Sequence, residues 1–402
     1  MPYTLLSKLF YENKSEYEEK YKARYESEYT VRLHFDINGN PAFFVQTPAI
    51  YRMLADILRM NKEVSDLCDA LPPAATEQFF RRCLTDEIVL TNNIEGVIST
   101  RKEILEILDE LEEKSKGKRF YGLVNKYLLI AIKELPIATC QDVRNIYDEL
   151  VLQEVKEEEP ENIPDGKLFR KNSVSVYSPS QKEIHKGVYP EEKIMEAMEN
   201  ALTFLHDDSC EVLFRIAIFH YLLEYIHPFY DGNGRLGRFI CSYLLSQELE
   251  PITGYRLSYT IKENISEYYK AFVTCNNPLN KGDLTPFLEM FLNIIKISVE
   301  KLKESLQEGL IRLSRGFQLI PYLNPDGDTD LNEIYSLLIQ AALFSEFGVN
   351  TDVVLEHVGI SRTTLNRKIK KIPANLLVKE KHGRENYYSL DINALEQMGD
   401  LQ

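Results

Sequence analysis

The sequence predicts a mainly α-helical protein: a helical bundle with a small β-hairpin flap, then a C-terminal winged helix-turn-helix domain. Three observations predict this. Apolar residues recur at three- and four-residue intervals along most of the 402 residues, which is the spacing of one helix face. Strict alternation is confined to short stretches near residues 30–44, 174–177 and 376–390, as for isolated hairpins. A proline- and glycine-bearing run at 321–330 separates the long helical patterns from three short ones, as a linker does. The expected organisation is an N-terminal region at 1–115, a core at 116–313 and a C-terminal domain at 314–402.

Each element follows from its residues. Residues 11–28 are dense in charge and tyrosine and read as a solvated helix. Val31, Leu33 and Phe35 alternate before a turn at Asn38-Gly39-Asn40, a hairpin signal. Ile50, Met53, Leu54, Ile57 and Leu58 give a helix over 48–60. Pro72-Pro73 breaks the pattern, and a helix follows from Thr76 to about Asn92. Thr91-Asn92-Asn93-Ile94-Glu95-Gly96 closes it, with Gly96 as C-terminal cap and Thr91 and Glu95 on one face. Ser99 or Thr100 caps the next helix, which ends in a charged connector at 112–119. Helices are expected at 123–135 and 140–151, then an acidic, proline-bearing surface loop at 153–165. Val174-Ser175-Val176-Tyr177 and a Ser-Pro-Ser turn make the central hairpin. Helices follow to Phe204, over 211–226, over 238–247, over 266–275 and from Leu284 to about Leu313. Beyond the linker come helices at 331–347, 350–357 and 361–372, the last two joined by Val358-Gly359-Ile360, a helix-turn-helix turn. Residues 376–390 alternate around His382-Gly383-Arg384 as a wing.

Composition excludes several function classes. The net charge of −15 argues against generic DNA or anionic-membrane binding. No apolar run has the length of a membrane span; the best, 213–226, is broken by Arg215, His220 and Glu224. The start has no signal-peptide pattern, and the six cysteines are scattered without a C-x-x-C pair. They read as reduced thiols of a cytoplasmic protein, not as a zinc site.

The chemistry is concentrated in residues 227–238, His-Pro-Phe-Tyr-Asp-Gly-Asn-Gly-Arg-Leu-Gly-Arg. His227 is the side chain best suited to move a proton near neutral pH. Asp231 offers a carboxylate to a hard cation such as Mg2+. Gly232-Asn233-Gly234 lets the backbone turn and aim N–H groups at an anion, and Arg235 and Arg238 add forked donors for phosphate. The stretch reads as a site for a magnesium-bound polyphosphate with a base beside it. Gly232, Gly234 and Gly237 formally spell G-x-G-x-x-G, but a helical pattern, not a strand, precedes them, which argues against a dinucleotide fold.

These residues resemble the Fic family. Residues 227–238 match its motif, H-P-F-x-[D/E]-G-N-G-R-x-x-R, at every specified position. Thr91, Glu95 and Gly96 are similar to the family's inhibitory motif, [S/T]-x-x-x-E-[G/N]. Val174, Ser175, Val176 and Tyr177 sit where the family has its target-docking flap, and Tyr268, Tyr269 and Asn276 where it lines the adenine pocket. The resemblance covers roughly residues 76–299, and the tail resembles a winged helix attached to some bacterial members.

It implies a Fic-type bundle that transfers AMP from ATP to a Ser, Thr or Tyr hydroxyl of a protein, itself included. His227 is the implied base and Asp231 the implied Mg2+ ligand. The implied nucleotide contacts are Gly232, Asn233, Gly234, Arg235, Leu236, Gly237, Arg238, Tyr269 and Asn276. Glu95 would pair with Arg238 and deny the γ-phosphate its partner. Two alternatives stand beside this. One is a Fic-type phosphotransferase or other nucleotide transferase, which an intact Gly234 argues against. The other is a DNA-binding regulator with a nucleotide sensor, which an intact His227 argues against. His220 is expected to orient the loop; whether His185 and Tyr230 touch substrate is open. The basic residues Arg362, Arg367, Lys368, Lys370 and Lys371 point to DNA backbone contact, with protein contact or homodimer formation as the alternative.

Overall fold

A computed structural model gives the fold of residues 3–109, 119–129, 134–177, 183–382 and 385–400. The expected connector at 112–118, part of the helix expected at 123–135, the flap turn at 178–182 and the wing turn at Gly383-Arg384 lie outside the described residues. The chain divides into two compact units, residues 1–61 with 84–299, and residues 62–83 with 300–402.

The larger unit begins with α1 (Leu6–Glu12) and α2 (Lys14–Tyr25), then β1 (Thr30–Ile37) and β2 (Asn40–Val45), an antiparallel hairpin. Long helices α3 (Pro48–Asp69) and α4 (Pro73–Ile94) contribute residues to both units. Next come α5 (Arg101–Asp109), α6 (Tyr121–Leu129), α7 (Cys140–Leu150) and α8 (Leu152–Glu158). The flap is β3 (Ser175–Tyr177) paired with β4 (Glu183–Lys186). Then follow α9 (Glu191–Leu205), α10 (Val212–Ile226), α11 (Asn233–Glu248), α12 (Leu257–Glu263), α13 (Ile265–Cys275) and α14 (Thr285–Leu323), the last contributing residues to both units. The core forms around α10, whose residues are buried nearly throughout. A helix apolar on every side has nowhere to go but the centre of the bundle, and α9 and α11 pack against it.

Four expectations are corrected. Residues 11–28 are not one solvated helix: Asn13 ends α1 and caps α2 by accepting from Glu16 N–H, and Tyr17 and Arg24 are buried. The acidic stretch 153–165 is not all loop, because α8 runs through its first half and buries Leu152 and Val155. The helix expected to stop near Leu313 continues to Leu323 with Pro321 inside it. A proline in the final turn removes only one of the last ladder bonds, so the linker shrinks to the residues before Thr329. Finally, α11 starts at Asn233, five residues ahead of the predicted Arg238, so the motif itself is its first turn.

The smaller unit contains α15 (Thr329–Phe344), β5 (Val349–Asn350), α16 (Thr351–Val358), α17 (Arg362–Ile369), β6 (Leu377–His382), β7 (Glu385–Leu390) and α18 (Ile392–Asp400). Its antiparallel sheet has the order β5-β7-β6. Asn350 and Ser361 cap α16 and α17, and Gly359 makes the turn between them at φ +71°. The predicted basic face is partly used up. Lys368 is buried and paired with Asp328 and Asp330, Lys371 lies 3.5 Å from Asp328, and Arg362 lies 2.9 Å from Asp352.

Candidate active site

The site is the turn between α10 and α11. Helix α10 ends on His227, whose backbone is left-handed (φ 52°, ψ 63°) and whose N–H bonds the Leu223 carbonyl at 2.9 Å. That conformation costs an L-residue about 1–2 kcal/mol, so its surroundings must hold it. Arg170 does so. Its side chain is fully buried and donates from Nε to the His227 carbonyl at 2.8 Å and from Nη2 to the Val188 and Ile226 carbonyls at 2.8 and 3.3 Å. A guanidinium at a helix C-terminus satisfies the orphan carbonyls and complements the dipole. Burial lowers the Arg170 pKa to about 10, which leaves it charged at neutral pH. Arg170→Met is therefore expected to destabilise the protein by about 3 kcal/mol, read as a lower urea midpoint with unchanged m-value.

After His227 the loop is braced internally. The Asn233 amide accepts from Phe229 N–H and donates to Phe229 C=O, both at 2.9 Å. Phe229 in turn stacks on Tyr147 at 3.6 Å between centroids. Asn233 thus shapes the loop through its side chain. Gly232 sits at φ +81° and a Cβ there would meet Val151 Cγ2 at 2.8 Å. A Cβ on Gly234 would run into the Glu95 carboxylate and lie 2.9 Å from Arg238 Nη1. Tyr230 is also structural: its hydroxyl accepts from Asn172 N–H and donates to Asp165, both at 2.9 Å. The first N–H groups of α11 have no partner within the helix, and such an end is an anion site.

The two arginines differ. Arg238 is 1% exposed and lies 2.8 Å from Glu95 Oε1 through Nη2, which also donates to Thr91 C=O at 3.0 Å, while Nε donates to Thr91 Oγ1 at 2.8 Å. Burial works against its charge, but Glu95, Tyr268 and Glu224 more than offset this, and its pKa ends above the ordinary value. Arg235 is equally buried but turned elsewhere: it holds Glu154 at 2.8 Å and Asp231 at 3.2 Å. Without a ligand the Arg235 guanidinium is paired with Glu154 and Asp231, as that of Arg238 is with Glu95. Glu154 escaped the sequence reading because it lay in an acidic run taken for a loop.

A cavity of about 100 Å³ opens on this arrangement. Glu95, Glu224, His227, Gly234 and Arg238 line one part; Val176, His185, Tyr225, Tyr269 and Asn276 are also on its wall. Gly232, Asn233, Arg235, Leu236 and Gly237 are not among the lining residues. Ligand pockets are typically roughly 300–1,000 Å³, so the cavity as it stands, with Glu95 on its wall, is small. Helix α4 ends at Ile94, and Gly96 at φ +80° turns the chain away. His185 stacks on Tyr225 at 4.0 Å and bonds its carbonyl through Nε2 at 2.7 Å. His220 is fully buried and bonded to Tyr268 Oη at 2.7 Å, outside the cavity.

The His227 imidazole is neutral at neutral pH. Burial and then the Arg170 charge push its pKa down to about 4, with Glu95 pulling the other way. Asp231 suits Mg2+ in one way only. Among the described residues no group of three or more His, Cys, Asp or Glu could hold a metal ion, but Mg2+ commonly takes one or two carboxylates plus substrate phosphates, and Asp231 is partly exposed.

Residues 138–245 match the model of the Fic/DOC family. The chain is 28% identical over 226 residues to the protein adenylyltransferase Fic of Drosophila ananassae, covering 54% of this chain and 40% of that protein. It is 32% identical over 124 residues to the protein adenylyltransferase Fic of Drosophila virilis, covering 31% and 23%. The chain thus spans less than half the length of these curated relatives. In fold it is similar to a Fic family protein from Desulfovibrio desulfuricans G20, with a TM-score of 0.52 and 19% identity over 86% of this chain and 97% of that one. Among the described residues no helix is long and apolar enough to cross a membrane. The helical bundle, the complete loop motif and the family match fall on the same residues, so residues 138–245 carry a Fic domain.

Proposed function

We propose that the protein is an adenylyltransferase that moves AMP from ATP to a Ser, Thr or Tyr hydroxyl of a protein, and that Glu95 holds it inactive. One observation carries the reading above others: a neutral imidazole shares a cavity with the buried, carboxylate-locked Arg238 and with Gly234 at the start of a helix. In the reaction His227 takes the proton of the incoming hydroxyl. The hydroxyl oxygen bonds the α-phosphorus while its bond to the bridging oxygen breaks, and pyrophosphate leaves with that electron pair. The N–H groups at the start of α11 face the charge that builds on the phosphate. Arg238, once released by Glu95, orients the outer phosphates, and Tyr269 and Asn276 bound the base end of the cavity. Mg2+ held by Asp231 would neutralise phosphate charge. Ser175–Tyr177 offers strand edge to an extended target segment; Val174 precedes the strand and fixes it by accepting from Gly187 N–H at 3.0 Å.

Incubation of the Glu95→Gly protein with α-labelled or γ-labelled ATP tests the reaction class. Label from the α position on protein supports AMP transfer; label from the γ position alone points to phosphotransfer. No label from either removes the enzymatic reading.

For the smaller unit, the helix pair α16–α17 and the sheet β5-β7-β6 support the winged-helix reading. With Lys368 buried and Lys371 paired, contact with duplex DNA involves few phosphates. Binding is expected to be weak, visible by fluorescence anisotropy at about 50 mM salt and lost near 200 mM. Absence of binding at the lower salt would remove the DNA role.

A further inference from the structure

Glu224 has no role in the mechanism above, yet it lines the same cavity as His227, Arg238 and Glu95. It is the one carboxyl of α10, a helix that also holds Arg215 and His220. Its Oε1 is buried without a hydrogen-bond partner. The carboxyl lies so close over α11 that a Cβ on Gly237 would sit 2.7 Å from Oε1. Buried polar atoms are almost always paired, and an exception on a cavity wall is satisfied by what enters the cavity. The ionisable groups around it are Glu95 after α4, Arg238 and Cys241 on α11, Tyr268 and Tyr269 on α13, His185 on β4, and His220 and His227 on and just after α10. Burial and then Glu95 push its pKa up to about 8, against the pull of Arg238. With Glu95 in place this favours the protonated carboxyl, which can donate a hydrogen bond.

We propose that Glu224 contacts the nucleotide, its carboxyl O–H donating a hydrogen bond to an acceptor atom of the ligand that enters when Glu95 withdraws. The inference rests on the nucleotide reading of the cavity. Once ionised, the same carboxyl would repel the phosphates and compete with them for Arg238. Binding thus selects the protonated form, and affinity falls as pH rises through the Glu224 pKa. Since Glu95 helps to raise that pKa, its removal moves the limb below about 8.

The test is calorimetric titration of ATP with magnesium into the Glu95→Gly protein from about pH 6 to 9, beside the Glu95→Gly, Glu224→Gln double variant. The Glu224-containing protein is expected to lose about tenfold in affinity per pH unit above its limb. The amide keeps a donor but cannot ionise, so this loss disappears in the double variant. A third protein, with Glu224→Leu, is expected to bind more weakly at every pH, with a thermal melt as the check on folding. Matching pH profiles for the first two proteins would overturn the inference and leave the nucleotide reading intact. No ATP binding by the Glu95→Gly protein at any pH would overturn both.

Discussion

Glu95→Gly is expected to raise transfer from ATP by at least about tenfold, equivalent to removing roughly 1.4 kcal/mol of inhibition. Glu95 does two things at once. It fills space over Gly234, where a nucleotide's phosphates would approach α11, and it occupies Nη2 of Arg238 at 2.8 Å. Thr91 supports the arrangement by holding the same guanidinium through Oγ1 and its carbonyl. Glycine at 95 removes the plug and the competing charge together, while Arg238 keeps Thr91. The variant is expected to lose about 1–3 kcal/mol of stability without nucleotide, because a buried cation loses its counter-ion. ATP at about 100 times its Kd should return about 2.7 kcal/mol, so ATP raises the Tm of the variant far more than that of the wild type. A variant that transfers no more label than wild type would end the inhibitory assignment.

His227→Ala in the Glu95→Gly background is expected to lower kcat by about 10²- to 10⁴-fold, the usual worth of a placed general base, with little change in ATP affinity. A thermal melt of both proteins checks that the left-handed backbone at 227 is kept, so that the comparison reports the imidazole. The pH dependence has a definite sign. The folded-state pKa is depressed to about 4, so His227 is unprotonated and competent above that value and loses function only as pH falls through it. Glu95 raises this pKa, so its removal moves the acid limb lower still. The His227-dependent rate should therefore be flat between about pH 5.5 and 7, where an unperturbed histidine would titrate. An acid limb near pH 6.5 would show instead that the imidazole is solvated when the enzyme acts.

The loop was legible because its chemistry is consecutive: base, carboxylate, glycines and arginines lie within residues 227–238, and helical spacing on either side placed them between two helices. The partners were not. Arg170 reaches the His227 carbonyl across 57 residues and Glu154 reaches Arg235 across 81, and nothing local in either segment distinguishes a structural charge from a solvated one. Glu224 was visible as a charge interrupting an apolar run, but sequence could not tell a cavity wall from a buried exception. The chemistry of Asn233 and Arg235 suits phosphate, but it could not show that one would also brace Phe229 and the other pair with two carboxylates. The segment at 153–165 failed for a related reason: acidic composition resembles a loop until Leu152 and Val155 find a core to cover them.

The most direct measurement is intact-mass spectrometry of the Glu95→Gly protein after incubation with ATP and magnesium, beside the same protein carrying His227→Ala. A gain of one AMP in the first and none in the second is the predicted result. An adduct of equal yield in both, or a gain of phosphate alone, would contradict the assignment of His227 as the base of an AMP transfer.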